Sequence, residues 1–426
     1  MSPHSLATDR IDVVQRRTVR TLVTSQIVGG LGVSGGVAVG ALLATVVLGS
    51  EDLAGFAQSA QVLGAALLAV PAARLSVARG RRAGLGLGYG MGLLGAALAV
   101  TAGQVGSFPL LLLGTALFGG GTTAGLQARF ASTDLAPSVR RARTLSIVVW
   151  ATTIGAVVGP NLVGPAGALA RSVGIEPLAG PYLLGGLFFV LAGMVVALGL
   201  RPDPLIVARS LRSAPAEANR KGVIRHGLTA ARRSPRALLG LAAIVVAHTV
   251  MVSVMVMTPI HMQHGHASLE LIGLVISVHV AGMFAFSPVM GWLADRIGRV
   301  PVIVGGGVIL LAAVALSGTA REGHSAGLTL GLFLLGLGWS ACLVAGSTLL
   351  TEGVPAADRP AVQGMSDLLM GLTAAAGGAV GGLVVGTLGY GVLNAMASAL
   401  VFLLLAATGH PSVRVVAGTS TRTGAD

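Results

Sequence analysis

The chain has 426 residues, 54% of them hydrophobic and only 10% charged, with a formal net charge of +13. That balance excludes a soluble globular domain and identifies a polytopic membrane protein. The only cysteine, Cys342, excludes an intramolecular disulfide. Residues 1–21 are polar and basic with no apolar run, so they read as a cytoplasmic tail and not as a signal peptide. Apolar stretches follow at 22–48, 53–72, 83–105, 108–130, 144–170 and 180–200. After a polar segment at 201–236 they resume at 237–262, 270–293, 301–320, 326–350, 366–388 and 391–409. Each is long enough to span a bilayer, and the alternation that strands need is absent. The expected fold is all-α, with twelve transmembrane helices in two six-helix bundles, 22–200 and 237–410, joined by the cytoplasmic loop 201–236 and followed by a cytoplasmic tail, 411–426. The 64 glycines suit helices that approach closely and slide past one another.

With both ends inside, the inner segments hold all of the 28 basic residues except Arg171 and Arg321. This surplus is the positive-inside signal, so the charge serves orientation in a cytoplasmic (inner) membrane and implies no nucleic-acid partner. Arg129, near the inner end of the fourth stretch, is expected to snorkel to the headgroups. The first stretch offers Gln26 and Ser34 but no charge at its middle, and no acid stands where it would carry protons through the pathway.

Two loops reveal an internal repeat. Between RLSVARGRR at 74–82 and GWLADRIGR at 291–299, a shift of 218 residues carries Leu75, Gly80 and Arg81 onto Leu293, Gly298 and Arg299, and the same shift carries Thr133, Asp134, Pro137 and Arg141 onto Thr351, Glu352, Pro355 and Arg359. Two independent loops that agree on one shift indicate two pseudo-symmetric halves. GWLADRIGR resembles the signature of the major facilitator superfamily, and the resemblance extends over essentially the whole chain. It implies the major facilitator fold and a conformational latch made of Asp295, Arg296 and Arg299 with Gly291 and Gly298. The first-half copy departs from the pattern, with Ala73 for the first glycine and Val77 where the acid belongs. Gly155, Gly159, Pro160 and Gly164 resemble a weaker Gly-Pro signature of proton-coupled efflux members, and they read equally as close packing.

The seventh and eighth stretches carry Met251 and Met255, then His279 and Met283, each pair four residues apart. Such spacing puts each pair on one helix face, about 6 Å apart along the axis. Antiparallel neighbours meet at equal depth where their index sums agree, which sets Met251 beside Met283 and Met255 beside His279. Three thioethers and one imidazole suit a soft ion, above all Cu(I). The other reading is packing, because methionine is an adaptable filler of helix interfaces. At the shift of 218 residues the four fall on Val33, Val37, Gln61 and Ala65, so the soft groups belong to one half only.

MxxxM followed by HxxxM, with this spacing, resembles the paired motifs of CcoA-like copper importers within that superfamily. The resemblance implies copper as transported substrate at Met251, Met255, His279 and Met283, carried from periplasm to cytoplasm, with copper chaperones or haem-copper oxidase assembly factors as partners. Copper here is cargo; no cofactor is expected, and the default is a monomer in the lipid bilayer. The segment HMQHGH after the seventh stretch puts His261, Met262, His264 and His266 on the periplasmic side, as a capture site or as a solvated loop. His248 is an exit ligand or a hydrogen-bonded helix histidine. The alternative function is a proton-coupled carrier of a small organic solute, a drug or a vitamin such as riboflavin. No nucleophile–base constellation or phosphate-binding loop is present, so an enzyme is not expected.

Overall fold

The structure is a computed structural model that describes residues 3–48, 55–211, 223–266, 269–323 and 325–410. The expected tail at 411–426, and 212–222 of the expected central loop, lie outside them. The first half comprises α1 (Pro3–Leu48), α2 (Gly55–Arg79), α3 (Arg81–Val105), α4 (Phe108–Ala131), α5 (Arg141–Val158), α6 (Val163–Ser172) and α7 (Gly180–Gly199). Two short helices, α8 (Pro204–Ser210) and α9 (Val223–Arg232), lie in the connecting segment. The second half comprises α10 (Pro235–His264), α11 (Leu269–Phe284), α12 (Ser287–Ile297), α13 (Arg299–Gly318), α14 (Ala326–Glu352), α15 (Arg359–Leu388) and α16 (Tyr390–Thr408). Among the described residues, 12 helical spans are long and apolar enough to cross a membrane, which makes this a multi-pass membrane protein.

Apolar stretches and helices differ at several ends. α1 begins at Pro3, well before the apolar run, and the polar part that precedes the run docks on the protein at Gln15, whose amide donates to the Ser132 carbonyl at 2.7 Å. The fifth stretch is interrupted after Val158 by a 3-10 turn at Pro160–Leu162, since the proline cannot continue the hydrogen-bond ladder. The eighth stretch is likewise two helices, α11 and α12, with Pro288 in the first turn of the second.

The internal repeat is visible as matched ion pairs. Arg81 binds Asp134 at 2.8 Å, and Arg299, its counterpart, binds Glu352, the counterpart of Asp134, at 3.0 Å. Each half has its own apolar core, Phe118, Tyr182 and Phe189 in the first and Leu310, Leu335 and Trp339 in the second. The helix ends that bear most of the arginines share one side of the bundle, called here the basic end.

The halves meet along two seams, α2 with α15 and α5 with α12. On α15, Gly364, Gly371 and Gly378 recur every seven residues and so share a face. A Cβ on Gly364 would strike the Ala73 methyl, and one on Gly371 would stand 2.5 Å from the Ala66 methyl, whereas one on Gly378 meets nothing within 4 Å. This seam is therefore closed from the basic end to about its middle and splayed beyond. Every cross-half ion pair among the described residues also lies toward the basic end. The cleft between the halves opens at the opposite side.

Candidate functional site

The helices that carry the four soft side chains, α10 and α11, both pack on α14 and hardly on each other. Glycines decide this: Gly240 of α10 packs on Gly346 of α14, and a Cβ on Gly336 of α14 would stand 2.7 Å from the Met283 amide nitrogen. α14 thus takes the place beside α10 that the sequence reading gave to α11, and α10 and α11 scarcely touch. The common helix still sets their depths. His248 of α10 meets Trp339 of α14 at 2.9 Å. Counting along antiparallel helices from there brings Met251 level with Gly336 and Met255 level with Leu332. On the other flank, Met283 packs at Gly336 and His279 bonds the Leu332 carbonyl at 2.8 Å. Met251 and Met283 therefore share one level of α14, and Met255 and His279 share the next. Met251 and His279 are buried; Met255 and Met283 are partly buried against the same core. No hydrogen bond or ring contact links the four directly among the described residues.

The two deep histidines differ in what they can bind, because their partners fix their tautomers. A carbonyl only accepts, so Nδ1 of neutral His279 carries the proton and its lone pair is left on Nε2. That Nε2 is buried with no hydrogen-bond partner in the structure. An imidazole whose Nδ1–H is held by a carbonyl is the usual arrangement of a metal-binding histidine. For His248 the logic reverses. An indole N–H only donates, so Nδ1 of His248 must accept from Trp339 and the proton sits on Nε2, leaving no free lone pair. Of the two readings of His248, the hydrogen-bonded one is the one its contacts support. No three His, Cys, Asp or Glu side chains gather into a metal-binding group among the described residues, so any metal held at α14 relies on thioethers.

HMQHGH is only partly a loop. α10 continues through His264, which buries His261 and leaves Met262 0% exposed, while His264 and His266 are exposed. The helix persists because this end of α10 docks on α16: the His261 ring stacks on Tyr390 with centroids 4.3 Å apart. Pro259 lies within α10 without ending it.

The latch is assembled, with one exception. The two Asp295 carboxylate oxygens accept from the backbone N–H groups of Ala142 and Arg143 at 3.1 and 2.8 Å, capping the start of α5 across the seam. Arg299 bonds both Asp295 and Glu352 at 3.0 Å. Gly291 packs on Ser146 and Ala142, and Gly298 takes a positive φ, 101°, between α12 and α13. Arg296 is the exception, lying over the Trp292 ring at 5.2 Å. In the first-half copy, where Val77 replaces the acid, Asp203 of the connecting segment accepts from the Arg82 N–H at 2.8 Å and Arg209 donates to the Val77 carbonyl at 2.8 Å.

Arg129 does not snorkel. It is 2% exposed and pairs across the halves with Asp367 of α15 at 2.6 Å, its guanidinium also lying over the Phe130 ring. The cause is register: about two turns of α15 bring Asp367 into reach from the other half, and a buried guanidinium needs a counter-charge. The expectation of a pathway without an acid missed Asp367. The signal was a lone carboxylate, SDLLM, at the head of the eleventh apolar stretch. Of the Gly-Pro residues, Gly155 of α5 packs against the backbone of Gly30 and Gly159, just beyond α5, against Ser34, while a Cβ on Gly164 of α6 would meet nothing within 4 Å.

The model of the Major Facilitator Superfamily matches residues 22–269 and 245–422. The chain is 39% identical over 391 residues to the uncharacterized MFS-type transporter YdeG of Bacillus subtilis, covering 92% of this chain and 90% of that one. It is 29% identical over 398 residues to the riboflavin transporter RfnT of Brucella anthropi, covering 92% of this chain and 94% of the other. In fold it is similar to the human organic anion transporter MFSD10, with a TM-score of 0.70 at 18% identity, covering 92% of this chain and 99% of that one.

Proposed function

The chain belongs to the major facilitator superfamily, and from that premise we propose that the cargo of this secondary transporter is copper, bound as Cu(I) by Met251, Met255, His279 and Met283. It is a transporter and not an enzyme. The observation that carries the copper reading is His279: its Nδ1–H is held by the Leu332 carbonyl and its Nε2 is buried and unpartnered, at the level of α14 to which Met255 also counts. Thioethers stay neutral at every pH and bind more weakly than thiolates, which suits a site that must release its ion. In this reading the basic end faces the cytoplasm by the positive-inside rule and the open side of the cleft faces the supply of the ion, which is the loading state of an importer. Closure of that side and opening of the basic end complete alternating access, and cytoplasmic copper chaperones or oxidase assembly factors take the ion.

A second reading, a proton-coupled carrier of a small organic solute such as riboflavin, is favoured by two observations. One is the similarity to RfnT, and the other is the Arg129–Asp367 pair at the junction of the halves. Uptake of radioactive copper by cells expressing the wild type or Met255→Ala/His279→Ala at matched membrane abundance separates the readings. Copper uptake falls to the background of non-expressing cells in the double variant. Equal uptake by the two proteins, together with riboflavin uptake by both, would move the assignment to the organic solute.

A further inference from the structure

α10 carries a second soft pair on another face. Met257 and His261 are four residues apart, hence one turn apart on one side of the helix, and that side turns from α14 toward α15 and α16. Each is only 7% exposed. The Met257 side chain lies in a notch made by two consecutive glycines of α15: a Cβ on Gly381 would stand 3.6 Å from its Cγ, and one on Gly382 would stand 3.9 Å from its sulfur. The His261 ring is stacked nearly parallel on Tyr390, at 19°, and the Tyr390 hydroxyl is held by Thr258 at 2.8 Å. Nε2 of His261 is buried and has no hydrogen-bond partner in the structure, and neither has the side-chain oxygen of Asn394, one turn along α16 from Tyr390.

We infer that Met257 and His261 form a second soft-metal site, which takes a monovalent copper ion between the thioether sulfur and Nε2 of the imidazole. A buried ring nitrogen left without a partner is costly, and a soft cation satisfies it together with the thioether one turn back on the same helix face. Two neutral ligands are weaker than four, as a relay position requires. His261 lies six residues beyond Met255 along α10, roughly 9 Å farther from the basic end. The pair therefore lies nearer than the Met/His quartet to the open side of the cleft. Only the identity of the ion rests on the copper reading; the ligand set stands on its own residues.

The test is a titration of the purified full-length protein with Cu(I), under reducing anaerobic conditions, against a chromophoric Cu(I) chelator. The wild type holds two ions. A variant with Met251, Met255 and Met283 changed to leucine and His279 to glutamine holds one, and the further changes Met257→Leu and His261→Phe remove it. Should that quartet variant hold none, or should the further changes leave its content unaltered, the second site is overturned. A quartet variant that still holds two ions would instead sink the quartet, which keeps the two failures apart. Met257→Cys keeps a soft ligand, so it retains the ion that Met257→Leu loses at equal monodispersity. Equal retention by both would reduce Met257 to packing and overturn the proposal.

Discussion

At the scale of single residues, a partner's chemistry decides what a buried polar group can do. Two histidines of the same half, His279 fully buried and His248 partly so, differ because one faces a carbonyl and the other an indole N–H. The same dependence governs Arg129 and Asp367. Each is nearly inaccessible to solvent, so neutralising the acid strands a buried guanidinium. Asp367→Asn is expected to destabilise the protein by about 3–5 kcal/mol, the usual cost of breaking a buried pair from one side. Adding Arg129→Gln should return much of that stability. Thermal unfolding of the two variants in detergent checks this, and equal midpoints would mean that the pair is not coupled.

At the scale of elements, the glycine row of α15 works as a ruler of which side is closed. Gly371 already lies against Ala66, whereas Gly378, one heptad on, faces open space. Leucine at the two positions should therefore act in opposite senses. Gly371→Leu wedges the closed seam apart and favours the state open at the basic end. Gly378→Leu fits the structure described but obstructs closure of the other side, so it holds the protein in its present state. Labelling of single cysteines placed on each side of the cleft distinguishes them; identical labelling patterns for the two variants would refute the seam as the moving contact. Helix breaks have equally local causes, since Pro160 and Pro288 stand at the interruptions of the fifth and eighth spans.

At the scale of the whole molecule, the two halves repeat one another but are latched differently. On the α5–α12 seam Asp295 caps a helix of the opposite half, while the equivalent Val77 offers only its carbonyl, and the connecting segment supplies Asp203 and Arg209 in place of the missing acid. Asp295→Asn, which keeps the size but removes the charge that faces the α5 terminus, should shift the population toward the state open at the basic end. Val77→Asp has no such effect, because at the matching α15 terminus Pro360 has no N–H and the Ala361 N–H is already held by the Asp358 carbonyl. Cysteine accessibility at the basic end reads both, and an unchanged Asp295→Asn would remove the latch from the closed state.

The amino-acid sequence by itself determined the spans, their number and the two-fold repeat. Those follow from local quantities: the length of apolar runs, the absence of alternation, and a constant shift of 218 residues that the ion pairs Arg81–Asp134 and Arg299–Glu352 obey. It also gave the depths of the methionines and of His279, because helical rise is fixed whatever lies beside the helix. Only the tertiary structure decided neighbours. That α14 stands beside both α10 and α11 depends on glycines 240, 282, 336 and 346 meeting backbone across helices, and nothing along a single helix encodes which backbone that is. For the same reason Arg129 could not be matched with Asp367, 238 residues away, until both halves were in place. A tautomer likewise belongs to a contact and not to a residue, which is why the structure alone separates His279 from His248 as a possible ligand.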